Sequence, residues 1–165
     1  LHWGAALDDS ENPQELVEIL INDRESAFLH IPCNIFEKDL LDMASQCCEE
    51  KSVGIISRRP HFYGFLESDT VTDIELLLSE DSQSYIDNLP NGAGGRLEQC
   101  AEFIRICSVF GVAPNYAAMR YVLDIPAVCV TIPNIRDMKT LVDFCVDFES
   151  DAFPAELTDA LADLF

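Results

Sequence analysis

The chain has 165 residues, enough for one sizeable core, and 48% of them are hydrophobic, which excludes a disordered chain. Ten Lys and Arg stand against 30 Asp and Glu, and the net charge of −20 repels phosphate backbones and anionic lipid. Nucleic acid and membrane surfaces are therefore excluded as broad partners, and no run of about 18 apolar residues predicts a membrane span.

Residues 1–7 (LHWGAAL) read as a short buried strand, and Asp8, Asp9 and Ser10 as a turn that caps the next helix. The chain opens on Leu1 at what reads as a strand start, so a truncated N-terminus is one expectation. Over 12–22, Leu16, Ile19 and Leu20 fall on one helical face. AFLHI (27–31) reads as a second apolar strand before Pro32. DLLDMASQCCEEK (39–51) reads as an amphipathic helix with Leu40, Met43, Ala44 and Cys47 inward, and VGIIS (53–57) as a third strand.

A long excursion runs from Arg58 to about Arg96, with one helix expected at 72–80 and a polar stretch at 88–95. Segments of this length above a strand end are lids, binding loops or variable inserts. A helix at 96–111 has a Gly stop, and one at 114–124 opens on Pro. VCVTI (128–132) reads as a fourth buried strand that stops at Ile-Pro and turns directly into a helix at 137–148. A last helix covers 154–165. Apolar strands alternating with helices predict a parallel α/β sheet covered by helices, with its function at the C-terminal ends of the strands.

Seven cysteines, an odd number without a C-x-x-C, fit a reducing compartment, and a cytoplasmic location is expected. Most lie on apolar faces, where a free thiol behaves as a small hydrophobe. Cys47-Cys48 stands beside Glu49 and Glu50, whose charge raises a thiol pKa and argues against redox chemistry. Three scattered His and no paired ligand spacing predict no metal site. His61 and Tyr63 in RRPHFYGF read either as substrate contacts or as lid packing. GAGG at 92–95 lacks the Lys-Ser/Thr close of a phosphate loop.

Four segments carry a resemblance to a family. WGAALDD (Trp3–Asp9) is similar to the fifth-strand Trp-Gly-Val-Ser-Leu-Asp-Asp of one branch of the aldo/keto reductase superfamily. HIPCNIF (His30–Phe36) is similar to its sixth-strand Gln-x-x-Tyr-Asn, and VGIISRRPHFYGFL (Val53–Leu66) resembles its seventh strand and following loop. VTIPNIRDMKTL (Val130–Leu141) resembles its eighth strand and Ile-Pro-Gly-x-Arg-Asn turn. The resemblance implies an α/β chain of the (β/α)8 TIM-barrel type, here an incomplete half barrel of about four parallel strands with flanking helices. Residues 1–165 would form the C-terminal half of such a barrel, with an inserted loop at about 67–95.

It further implies NAD(P)H-dependent reduction of a small carbonyl substrate, with NADP (or NAD) as cofactor, once an N-terminal half completes the chain. The family's catalytic Asp, Tyr, Lys and His belong to earlier strands, so no catalytic residue is expected here. Trp3-Gly4 aligns with the fifth strand, which leaves His2 outside the catalytic-His match. The implied cofactor contacts are His30, in place of the Gln that holds the nicotinamide amide, and Arg58, in place of the aromatic that stacks on it. Pro133, Asn134 and Arg136 form the phosphate turn, with Asn134 where the family has Gly. Asp143 and Phe144 replace the adenine-touching Glu and Asn. A helix N-terminus favours an anion, and Arg136 adds a forked donor. Two alternatives stand beside the enzyme: a non-catalytic binding or interaction protein, and a gene fragment. Self-association is also expected, because four strands leave open edges.

Overall fold

The computed structural model describes residues 3–7, 15, 17–18, 22, 26–67, 74, 86–87, 89–135, 137–147, 154–162 and 164. In chain order these form β1 (Trp3–Ala6), β2 (Ser26–Pro32), α1 (Asp39–Lys51), β3 (Gly54–Arg58), a 3-10 helix (Phe62–Glu67) and a second (Pro90–Arg96). There follow α2 (Leu97–Phe110), α3 (Pro114–Leu123), β4 (Val128–Ile132), α4 (Met138–Asp147) and α5 (Ala155–Ala162). The expected helix at 12–22 is helical at Glu15, Val17, Glu18 and Asn22, and the one at 72–80 at Ile74; their other residues lie outside the described residues.

The four strands make one parallel sheet in the order β1-β2-β3-β4. The registers Leu29↔Ile55 and Ile55↔Val128 align the strands, with an irregularity between Ile55 and Ile56 that leaves Cys129 as the extra residue on β4. Leu29, Ile31 and Ile55 point to one face and are fully buried there with Val17, Leu41, Ala44, Cys48 and Val122. The apolar stripe of α1 is thus Leu41, Ala44 and Cys48, with Leu40 and Met43 at its margin. Cys48 packs inward; the Cys47 side chain, expected inward, lies outside the described residues.

Caps end the helices as their sequences dictate. After α1, Ser52 adopts the left-handed conformation (φ 57°) and its N–H donates back to the carbonyls of Cys48 and Glu49. Gly111 (φ 66°) does the same after α2, as the Gly stop predicts.

The chain divides into two compact units. One holds Leu1–Phe62 and Ala118–Asn134, and with them the whole sheet. The other holds Tyr63–Ala117 and Ile135–Phe165, where α2 packs against α5 around Phe103, Ile104, Leu157 and Leu161. The segment read as an insert at 67–95 falls in the second unit. Its polar end at 90–96 is a 3-10 helix rather than a loop, with Ala93 buried.

Two strands depart from the buried reading. In β1, Trp3, Gly4 and Ala6 are exposed, and in β4 so are Cys129, Val130 and Ile132. Both strands are sheet edges, and on the face opposite α1 Phe28 is exposed while His30 and Ile56 are half-buried. An apolar run marks a strand but does not say how many of its faces are packed.

Candidate functional site

The face opposite α1 is where the strand ends bring polar groups among apolar ones. Gly4, Phe28 and Gly54 stand abreast on β1, β2 and β3, followed by Ala6, His30 and Ile56. A Cβ at Gly54 would lie 2.8 Å from Cys129 Sγ and 3.1 Å from Phe28 Cδ1, so the glycine makes room for the phenylalanine ring. Trp3, Gly4, Ala5, Ala6, Phe28, His30 and Ile56 line a shallow cavity of about 260 Å³ on this face.

His30 and Arg58 come together here. His30 Nε2 is buried and has no hydrogen-bond partner. Burial, and then the Arg58 charge beside it, hold the imidazole below its ordinary pKa of 6.5. Arg58 Nη2 donates to the Leu7 carbonyl at 2.8 Å, reaching from the end of β3 past β2 to the end of β1. The Leu7 N–H donates to the His30 carbonyl at 2.9 Å. The Arg58 side chain thereby ties the ends of β3 and β1, and the Leu7 backbone ties β1 to β2, a link that no local sequence pattern announces.

The lowered pKa has a consequence for stability. An unfolded His30 takes up its proton near its ordinary pKa, while the folded one resists it, so the unfolded state binds more protons as pH falls. Stability is therefore expected to decline from about pH 6.5 downward. His30→Gln should flatten this slope between about pH 7 and 5, read from urea midpoints across pH. Parallel curves for the two proteins would contradict it.

The other strand-end residues are placed differently. Pro133 and Asn134 follow Ile132, which pairs with Arg58; Pro133 is half-buried and Asn134 exposed. Arg136 lies outside the described residues. At the start of α4, Asp137 Oδ1 accepts from the Thr140 N–H (2.7 Å) and hydroxyl (2.8 Å). The Thr140 backbone bond holds this carboxyl below its usual range. Asp137 is thus an N-cap, and the helix start already has its anion. Asp143 pairs with Lys139 at 2.7 Å, and Phe144 is buried.

After β2, Asn34 turns the chain toward α1. It is fully buried and binds the backbone at Phe36, Glu37 and Arg59. His61 is buried too, and Phe62 meets Phe36 edge-on with ring centroids 4.8 Å apart, so this start of the loop is packing. Burial pushes the Cys33 thiol up to about 12, which makes it unreactive. No group of three or more His, Cys, Asp or Glu fit to hold a metal occurs among the described residues. None of their helices is long and apolar enough to cross a membrane.

Trp3 and Phe28 were not singled out as ligand-facing by the sequence. The signal was present in Gly4 and Gly54, which flank Phe28 on both neighbouring strands and mark a place where bulk is held above the sheet.

No protein-family model matches the sequence, and no curated protein matches it. Among solved structures, the glycerol dehydrogenase AKR11B4 from Gluconobacter oxydans superposes with a TM-score of 0.64 at 17% identity, over 99% of this chain and 48% of that one. The chain has the fold of half a (β/α)8 barrel. It spans about half the length of the enzyme it matches. The four parallel strands and flanking helices are the half barrel that the sequence resemblance implied, and the sheet face opposite α1 corresponds to the side a closed barrel turns inward.

Proposed function

We propose that the chain is the cofactor-holding half of an aldo/keto reductase-like oxidoreductase that uses NADP or NAD to reduce a small carbonyl compound. The observation that carries this reading is the unpartnered His30 Nε2 in an aromatic-lined cavity on the sheet face opposite α1. The residues at the strand ends fit a nicotinamide. A neutral imidazole offers one donor or one acceptor at Nε2, and a carboxamide presents both. Trp3 and Phe28 supply the apolar walls that a planar ring needs. Arg58 holds the ends of β1 and β3 together beside His30, and burial, with the Arg58 charge second, disfavours the protonated imidazole.

The start of α4 fits a phosphate less well, because Asp137 occupies it, so Arg136 carries the anion contact in this reading. When bound, the nicotinamide would supply hydride chemistry and the protein its orientation. The proton donor would come from strands that this chain does not carry.

Titration is the test. NADP⁺ should quench the emission of Trp3, the one tryptophan of the sequence. His30→Leu should weaken binding, and Arg136→Ala should weaken adenosine 2′,5′-bisphosphate by about 1–3 kcal/mol. NADPH with a panel of aldehydes and ketones should not be consumed above background, since acid–base help worth ~10²–10⁴-fold is missing. Identical titrations for wild type and variants would overturn the binding reading, and steady turnover would overturn the missing acid. Binding without turnover by a full-length form would favour the second reading, a non-catalytic nucleotide-binding protein.

A further inference from the structure

His30 is the one side chain lining the cavity that can change its charge near neutral pH; the other lining residues are aromatic, aliphatic or glycine. The whole cavity lies in the unit that holds the sheet. His30 stands on β2 between Ala6 of β1 and Ile56 of β3, and its buried Nε2 has no hydrogen-bond partner.

Few charges surround it. Among the described residues β1 brings no titratable group to His30, and β2 brings no other. β3 brings Arg58, two residues beyond Ile56 and so on the same face, and β4 brings Cys129 beside Gly54. Arg58 keeps its charge throughout the neutral and acid range, so it is a constant background. The variable is a proton on the imidazole.

A nicotinamide comes in two charge states: the oxidised ring is a cation and the reduced ring is neutral. Two unit charges about 10 Å apart in a half-buried site repel by enough for a tenfold change in affinity. A cavity of about 260 Å³ keeps a bound ring within that distance of His30. On the basis of the nicotinamide reading proposed above, we infer that His30 selects between oxidised and reduced cofactor through its proton, the protonated imidazole rejecting the oxidised ring. By linkage, binding the oxidised form expels the proton, and affinity for it falls as pH falls through the His30 pKa. Burial and the Arg58 charge hold that pKa below 6.5. The reduced ring meets no like charge, so this preference for it grows in acid and fades as pH rises.

NADP⁺ and NADPH titrated into the chain between pH 8 and 5.5, followed by Trp3 emission, test this. The two share their adenosine half, so its own titration cancels in the ratio of their dissociation constants. For the wild type that ratio should move toward NADPH by roughly three- to tenfold as the pH is lowered. It should stay flat for His30→Gln, which keeps a donor and an acceptor but takes up no proton. Calorimetry near pH 6 in buffers of different ionisation enthalpy should show more proton release with NADP⁺ than with NADPH. A wild-type ratio that does not change with pH while both cofactors bind would overturn the inference and leave the nicotinamide reading standing. A ratio that moves equally in His30→Gln would overturn it too, by placing the titrating group elsewhere. Binding of neither cofactor at any pH would overturn the nicotinamide reading itself, and the inference with it. If His30→Gln fails to fold, the wild type decides alone: equal proton release with the two cofactors refutes the selection.

Discussion

Asn34→Ala is expected to lower the stability of the sheet-bearing unit by about 3–5 kcal/mol. Asn34 Oδ1 accepts from the backbone N–H of Phe36 and of Glu37, each at 3.0 Å, and Nδ2 donates to the Arg59 carbonyl at 3.2 Å and to Glu37 Oε2. Nothing of the side chain is exposed, so water does not replace these partners. Each buried group left without its partner costs about 1–3 kcal/mol, far more than the net worth of an ordinary bond. The substitution also unties two loops at once, the one after β2 and the one after β3. Urea midpoints followed by Trp3 emission measure it, with an unchanged slope expected. Asn34→Asp keeps the acceptor but loses both donors and sets a second carboxylate against Glu37. Its defect should therefore shrink at acid pH, where one carboxylate takes a proton. A loss below ~1 kcal/mol for Asn34→Ala would show that the loops hold without it.

Gly4→Ala is the second large effect, and it arises from space rather than bonding. A Cβ there would overlap the Phe28 carbonyl oxygen, with Phe28 Cβ 2.9 Å and its carbonyl carbon 3.0 Å away. Two of these three atoms are backbone in a paired strand and have nowhere to move. Overpacking of this kind costs about 1–3 kcal/mol, and backbone contacts place it at the upper end. The expected result is that β1 separates from β2 and gives up the Leu7 bonds to His30 and Arg58. Gly95 is the control: a Cβ there meets nothing within 4 Å, so Gly95→Ala should be close to neutral. Hydrogen exchange at Leu7, protected in the wild type and rapid in Gly4→Ala, separates local peeling from global loss. Equal protection in both would refute the clash.

Much of the architecture was legible because strand and helix periods differ. The runs at 27–31, 53–57 and 128–132 became β2, β3 and β4, and Pro114 and Gly111 marked a helix start and a helix stop. What escaped was mostly non-local. That Arg58 reaches Leu7 follows from β1 and β3 flanking β2, which no window of sequence contains. The exposure of β1 and β4 follows from their being edges. The Pro90–Arg96 helix is Gly-rich and polar, so its composition argued for a loop. Asn34 was the clearest missed local signal: an Asn just past a strand, with Glu three residues on, is a side-chain turn that satisfies the next backbone amides. At the strand ends, His30 and Arg58 had been singled out only through the family resemblance, and the structure sets them side by side. Asp137 was not, although an Asp just before a helical run is an N-cap by its chemistry alone.

The pairing of β3 with β4 also orders events during synthesis. Ile55 meets Val128 only after the chain between them has been made. At ~5–20 residues per second, that interval lasts on the order of several seconds. Throughout it, β3 lacks its β4 neighbour, and the Ile55 N–H, which donates to the Ala127 carbonyl in the finished sheet, is without that partner. Loop closure over this distance adds little thermodynamic cost, since each doubling of length adds only ~0.6 kcal/mol. The delay is kinetic, and it gives a nascent chain time to pair wrongly through a strand that is interior in the finished sheet.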